Sequence, residues 1–232
     1  MNWDQVVSKV SPHLFKIETP GGHGSGFLLH YGKDNFCCVA TAEHVVSHAD
    51  EWQQPIKLTH QATRETKFLK NADRVIYRDS ATDSAVVLFL KGDLKLPQTP
   101  IALFPEGQRI DIGSEVGWLG FPSVAPYNHC FFAGIVSARQ DWRKAYLIDG
   151  VAINGVSGGP VLYPHATEGV QIVGLISAYT ANRATGEALP GLSIAQDVSN
   201  FHTVISHINS IEEANSKKAE IQESIQEKDS TS

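Results

Sequence analysis

The chain has 232 residues, 42% of them hydrophobic, enough to bury a substantial core in one large domain or two small ones. Its formal net charge of −6 offers no basic surface for phosphates, which argues against nucleic acid or an anionic membrane as a partner. No apolar run reaches the roughly 18 residues expected of a membrane span.

Trp3, Val6, Val7 and Val10 recur at helical spacing and predict a short amphipathic helix that stops before Pro12. The start lacks the basic residues, apolar core and small-residue cleavage site of a signal peptide. Short strand-like runs punctuated by Gly, Pro, Asn and Asp then follow at 14–18, 26–31, 36–41, 56–61, 68–77 and 84–90. Past a Pro-containing stretch at 94–105, six more runs fall at 115–120, 130–138, 145–149, 159–163, 170–178 and 191–195. So many short strands at close spacing predict an all-β architecture of sandwiches or barrels rather than βαβ units. Two groups of about six, joined near 92–108, fit two six-stranded β-barrels, over about 11–92 and 108–196.

From 196 to 210, Val198, Phe201, Val204, Ile205 and Ile208 form a second helical stripe, expected to dock on the second barrel and to close a domain spanning 1–210. Residues 211–232 turn rich in Glu, Lys, Ser and Gln without an aromatic, which reads as a fraying or disordered tail, or as the handle for a regulatory protein partner. The three cysteines, Cys37, Cys38 and Cys130, are odd in number and two are adjacent, so no disulfide framework is expected. A reducing, cytoplasmic setting follows from that reading. No Cys/His spacing suggests zinc, and neither metal nor cofactor is expected.

One segment carries chemistry: Asn154-Gly155-Val156-Ser157-Gly158-Gly159-Pro160. Glycines let backbone approach a reacting group and adopt angles closed to other residues. Such a turn can aim the amides of Gly155 and Ser157 at one point beside the Ser157 hydroxyl, the arrangement that attacks a carbonyl and holds the oxyanion. A Gly-rich turn between strands is the plainer reading of the same residues. A serine nucleophile also needs a base and an acid to orient it. Of the ten histidines, His44 follows the apolar run at 36–41 and is held by a rigid element, whereas His48 and the histidines in loops look more exposed. Asp83 immediately precedes the apolar run 84–90, where a carboxylate is held firmly and partly desolvated; Asp79 and Asp73 lie in more polar surroundings.

The order His44, Asp83, Ser157 resembles that of chymotrypsin-like serine proteases. The match is closer to their HtrA-like branch. Gly24-Ser25-Gly26-Phe27-Leu28-Leu29 is similar to that branch's Gly-Ser-Gly strand, and Thr41-Ala42-Glu43-His44-Val45-Val46 and Thr82-Asp83-Ser84-Ala85-Val86-Val87-Leu88 to its histidine and aspartate segments. Gly134-Ile135-Val136-Ser137-Ala138 is similar to a strand ahead of the active-site loop, and 153–161 to the nucleophile turn. The resemblance covers about 10–208 and implies a chymotrypsin/trypsin-like fold and a serine endopeptidase acting on a protein or peptide through an acyl-enzyme.

It further implies that Ser177, Ala178 and Tyr179 belong to the strand that pairs with substrate backbone, and that 150–154, ending in Asn154, faces Gly191-Leu192-Ser193 across the specificity pocket. Neither wall carries an acid, so cleavage after a small or medium apolar residue is expected rather than after Arg or Lys; Asp149 aligns with the strand before the loop. Two departures stand out. Val156 occupies a place where digestive members carry Asp and HtrA-like members usually Asn, so the oxyanion loop is expected to be misordered until substrate or a partner binds. No Ile/Val-Val-Gly-Gly segment precedes the first barrel and there is no room for a PDZ module, so neither activation by N-terminal cleavage nor sensing of peptide tails is expected. The alternatives are a trypsin-fold binding or scaffold module with an inactive or latent triad, and the protease part of a larger system addressed through the tail.

Overall fold

In a computed structural model the backbone is described for residues 2–181 and 188–230, and side chains for 2–178 and 191–218. The N-terminal stripe forms α1 (Trp3–Val10), which buries Val6 and Val10 and gives way to a single 3-10 turn containing Pro12. Seven strands follow: β1 (Leu14–Thr19), β2 (Gly22–Tyr31), β3 (Phe36–Ala42), β4 (Ile56–His60), β5 (Thr66–Leu69), β6 (Arg74–Asp79) and β7 (Ser84–Leu90). They make one antiparallel sheet in the order β5-β4-β1-β2-β3-β7-β6. The single run expected at 68–77 is two strands, because Asn71–Asp73 turns the chain and the Asp73 carboxylate accepts the Lys70 N–H at 2.9 Å.

The sheet curls until its two edges meet. Arg74, at the start of one edge strand, donates to the carbonyls of Leu69 on the other at 2.8 Å, of Gln54 at 2.8 Å and of Ala49 at 3.2 Å. A planar fork with several donors can close such a seam where a single hydroxyl could not. Inside the curl lie Phe15, Ile17, Leu28, Val39, Leu58, Val87 and Phe89. Their neighbours Leu14, Phe27, Leu29, Ala40 and Val86 point to the outer face, as strand alternation requires, and are buried as well. Cys37 and Cys38 are free thiols within β3, and burial pushes both up to about 12.

The second half is a closed six-stranded barrel of β8 (Glu115–Gly120), β9 (Cys130–Gln140), β10 (Ala145–Asp149), β11 (Pro160–His165), β12 (Gly169–Ala181) and β13 (Ala188–Asp197), in the order β10-β13-β12-β11-β8-β9. A helix absent from the sequence reading, α2 (Glu43–Glu51), sits between β3 and β4.

The last helix, α3 (Ser199–Ser230), corrects the expectation that it docks on the second barrel. The outer face of the first sheet needs an apolar cover, and α3 supplies it. Phe201 meets Phe27 edge-on at 6.0 Å, Asn200 Nδ2 donates to Ser84 Oγ at 2.7 Å, and Glu212 Oε1 accepts the Lys33 N–H at 2.7 Å. α1 crosses the other way: Trp3 lies 5.1 Å from Phe131 of β9 and donates through Nε1 to Glu115 at 2.7 Å. Among the described residues no helix is long and apolar enough to cross a membrane.

Candidate active site

Three segments converge where the two sheets meet: the start of α2, the turn before β7, and the turn before β11. α2 begins at Glu43 with Ala42 as its N-cap, and alanine has no oxygen to offer the free amides there. Asp83 does this from outside the helix. Its Oδ1 accepts the His44 N–H at 3.0 Å, and its carbonyl accepts the Glu43 N–H at 3.1 Å. The same carboxylate lies against the imidazole, with Oδ2 2.9 Å and Oδ1 3.0 Å from His44 Nδ1. Asp83 reaches both groups with φ +44, a left-handed conformation that Asp tolerates better than most residues. Ser177 Oγ also donates to Asp83 Oδ2.

These contacts set the charges. The hydrogen bond that His44 Nδ1 donates to Asp83 raises the His44 pKa above its ordinary 6.5, against the downward pull of burial. Burial pushes the Asp83 carboxyl up, but the bonds from His44 and Ser177 outweigh it and hold it below the usual range. Asp83 is thus a charged acceptor, and the tautomer with hydrogen on Nδ1 leaves Nε2 of the half-exposed ring free to take a proton.

The third segment is tightly folded. Gly155 and Gly158 have φ +91 and +84, angles that favour glycine. Both are also crowded: a Cβ on Gly155 would lie 2.4 Å from the Phe121 carbonyl, and one on Gly158 2.1 Å from that of Ser25. Val156 is fully buried in the core that joins the two halves. Nothing in the bonding of the turn draws on a polar side chain at 156; the valine anchors by packing. Among the described residues the amides of Gly155 and Ser157 have no internal acceptor, while those of Val156, Gly158 and Gly159 bond to Ile153, Ile176 and Val156 carbonyls at 2.7–3.1 Å. The Ser157 hydroxyl donates to the Ser177 carbonyl at 3.5 Å rather than to His44.

His44, Asp83 and Ser157 line one cavity of about 280 Å3 with Ala152, Ile153, Asn154, Ile176, Ser177 and Ala178. Of the expected substrate-binding residues, Asn154, Ser177 and Ala178 therefore line the same cavity as Ser157. Gly191 and Ser193 do not line this cavity. They hold Gly150, two residues before the lining begins at Ala152: Ser193 Oγ donates to the Gly150 carbonyl at 2.6 Å, and the Gly191 carbonyl accepts the Gly150 N–H at 2.6 Å. The side chain of Tyr179 lies outside the described residues. Asp149 is exposed, pairs with Leu192 along β10 and β13, and is not part of the lining.

Sequence reasoning missed Ser25 as a site residue. It is fully buried and bonded both to the turn at Gly155 and Ser157 and to Phe121. The signal was the Gly24-Ser25-Gly26 motif, which the sequence showed only as part of the family resemblance and which gave Ser25 no role of its own.

The family model for trypsin-like peptidase domains matches residues 24–175. No curated protein matches the sequence. Among solved structures, the chain is similar to the inactive form of the Rv3671c protease from M. tuberculosis, with 18% identity over 88% of this chain and 92% of that one at a TM-score of 0.62. It is similar to a serine endoprotease from Yersinia pestis, with 18% identity over 90% of this chain and 66% of that one at a TM-score of 0.64. It is also similar to Deg5, with 20% identity over 86% and 90% of the two chains at a TM-score of 0.63. At these identities the likeness concerns the fold.

Proposed function

The chain belongs to the trypsin-like peptidase domain family, and from that premise we propose that it is a serine endopeptidase in which Ser157, His44 and Asp83 act as nucleophile, base and orienting acid. The observation that carries this reading is the His44–Asp83 hydrogen bond at 2.9 Å, at the edge of a cavity that Ser157 also lines. Ser157 Oγ bonds to the scissile carbonyl carbon as His44 Nε2 takes its proton, and the carbonyl π electrons move to oxygen, giving an oxyanion to which the Gly155 and Ser157 N–H groups donate. Collapse of the tetrahedral species breaks the C–N bond, and His44 passes the proton to the leaving amine. Water, deprotonated by His44, then releases the acyl group and restores Ser157.

Substrate backbone pairs with the strand at 177–179, so main-chain bonds give affinity and the cavity gives selectivity. The apolar lining of Ala152, Ile153, Ile176 and Ala178 supports a small or medium apolar residue on the acyl side of the cleaved bond. The free cysteines support a reducing, cytoplasmic setting. The helix that continues through residue 230 supports a docking role for 211–232 toward a regulatory protein.

A second reading, a latent or inactive binding module, draws on the Ser157 hydroxyl being turned to the Ser177 carbonyl. Labelling by a fluorophosphonate separates the two. The native chain is expected to label and Ser157→Ala not to; a native chain that does not label favours the second reading. With peptide amides that differ only at the acyl-side residue, Ala and Val are expected to outrun Arg, and a strong Arg preference refutes the assigned pocket.

A further inference from the structure

Ser25 lies in β2 of the first sheet, yet its bonds lead mostly into the second half of the molecule. Its N–H donates to the Ser157 carbonyl at 2.8 Å. Its hydroxyl donates to the Gly155 carbonyl at 2.8 Å and accepts the Phe121 N–H at 2.9 Å. Its own carbonyl accepts the Thr41 hydroxyl at 2.7 Å, which ties it back to β3. The side chain has no exposed surface.

These bonds complete a pattern in the turn. Four successive carbonyls are each held: Asn154 by the Ser123 N–H at 2.8 Å, Gly155 by the Ser25 hydroxyl at 2.8 Å, Val156 by the Gly159 N–H at 2.9 Å, and Ser157 by the Ser25 N–H at 2.8 Å. In a trans peptide the amide hydrogen points away from the carbonyl of the same unit. Holding the Asn154 and Val156 carbonyls therefore aims the Gly155 and Ser157 amides to the opposite side. The weak point is Gly155, at φ +91, because glycine has other conformations at little cost and can turn its flanking peptides. The bond that restrains the carbonyl of Gly155 itself comes from Ser25.

We propose that Ser25 is a positioning residue for the oxyanion site: its hydroxyl, held on the first sheet, locks Gly155 of the second half in the conformation that presents the Gly155 amide. The role suits serine, whose hydroxyl donates and accepts at once. Alanine leaves the Gly155 carbonyl and the Phe121 N–H without partners in a dry site. A larger residue does not fit, since Gly120 passes so close that a Cβ on it would lie 2.8 Å from Ser25 Oγ. The brace also places one donor of the site under the control of the contact between the two sheets.

The proposal rests on the serine-peptidase reading, and the test separates the two. Native chain, Ser25→Ala and Ser157→Ala are compared on a peptide p-nitroanilide with Val at the acyl-side position, and by amide hydrogen exchange of the 153–159 segment. Ser25→Ala is expected to lose about 10- to 100-fold in kcat, with KM within about twofold, because the donor acts mainly on the transition state. The inflection of kcat/KM with pH stays where it is, since His44 and Asp83 are untouched. Exchange speeds up at 153–159 and not in β7. An unchanged kcat in a folded variant overturns the proposal, and so does unchanged exchange at 153–159. Exchange raised evenly through β2, β7 and the turn overturns it too, in favour of a merely structural serine. If the native chain neither cleaves nor labels, the peptidase reading fails, and the exchange arm alone decides whether Ser25 holds the turn.

Discussion

Asp83 serves two hydrogen bonds to one residue, capping the amide of His44 and orienting its ring. Asp83→Asn keeps an acceptor for the amide and a side chain that accepts the left-handed angle, so the protein is expected to fold. Its NH2 favours the wrong imidazole tautomer, and kcat is expected to drop about 10,000-fold. The pH profile reports the same pair. Because Asp83 raises the pKa of His44, more of the base is protonated at a given pH, and kcat/KM is expected to rise with pH through an inflection above 6.5. In Asp83→Asn the inflection moves down. A native inflection at or below 6.5 contradicts the assigned base. His44, Asp83 and Ser157 could be singled out in the sequence because each stands beside an apolar run or a glycine-rich turn, and the structure brings the three to one cavity. The part played by Val156 was not: its missing polar group could be read from the sequence, but not its burial between the two halves, which depends on Gly120 lying opposite.

Among the elements, strands buried on both faces announced themselves as continuous apolar runs, as at Cys37–Cys38 in β3 and Ala85–Val87 in β7. α2 did not, because its first turn is capped by a carboxylate 39 positions away and no local residue marks the start. The helical stripe at 198–208 predicted a buried face without naming what lies under it. That face covers the first sheet, and Phe201→Ala is expected to cost about 3–5 kcal/mol in urea unfolding. A cost below about 1 kcal/mol, the range of surface substitutions and mild repacking, contradicts the docking of Phe201 on Phe27.

At the scale of the molecule, each terminal helix rests on the half to which it does not belong in sequence, and Ser25 links the halves through the turn that carries Gly155 and Ser157. Separate unfolding of either half uncovers apolar surface on the other, so a single cooperative transition is expected. Two reporters test it: Trp118 fluorescence for the second barrel and thiol labelling of buried Cys37 and Cys38 for the first sheet. Their midpoints in denaturant should coincide, and well-separated midpoints refute the coupling.

The crossed helices also put a clock on biosynthesis. Translation delivers the first sheet about a hundred residues before Phe201, so at about 5–20 residues per second its outer face waits on the order of 10 s for α3. During that interval the nascent chain carries an uncovered apolar wall around Phe27 and Val86. Premature termination anywhere before α3 leaves that wall bare for good, and such fragments should be substrates for chaperones and quality control rather than half-working enzymes.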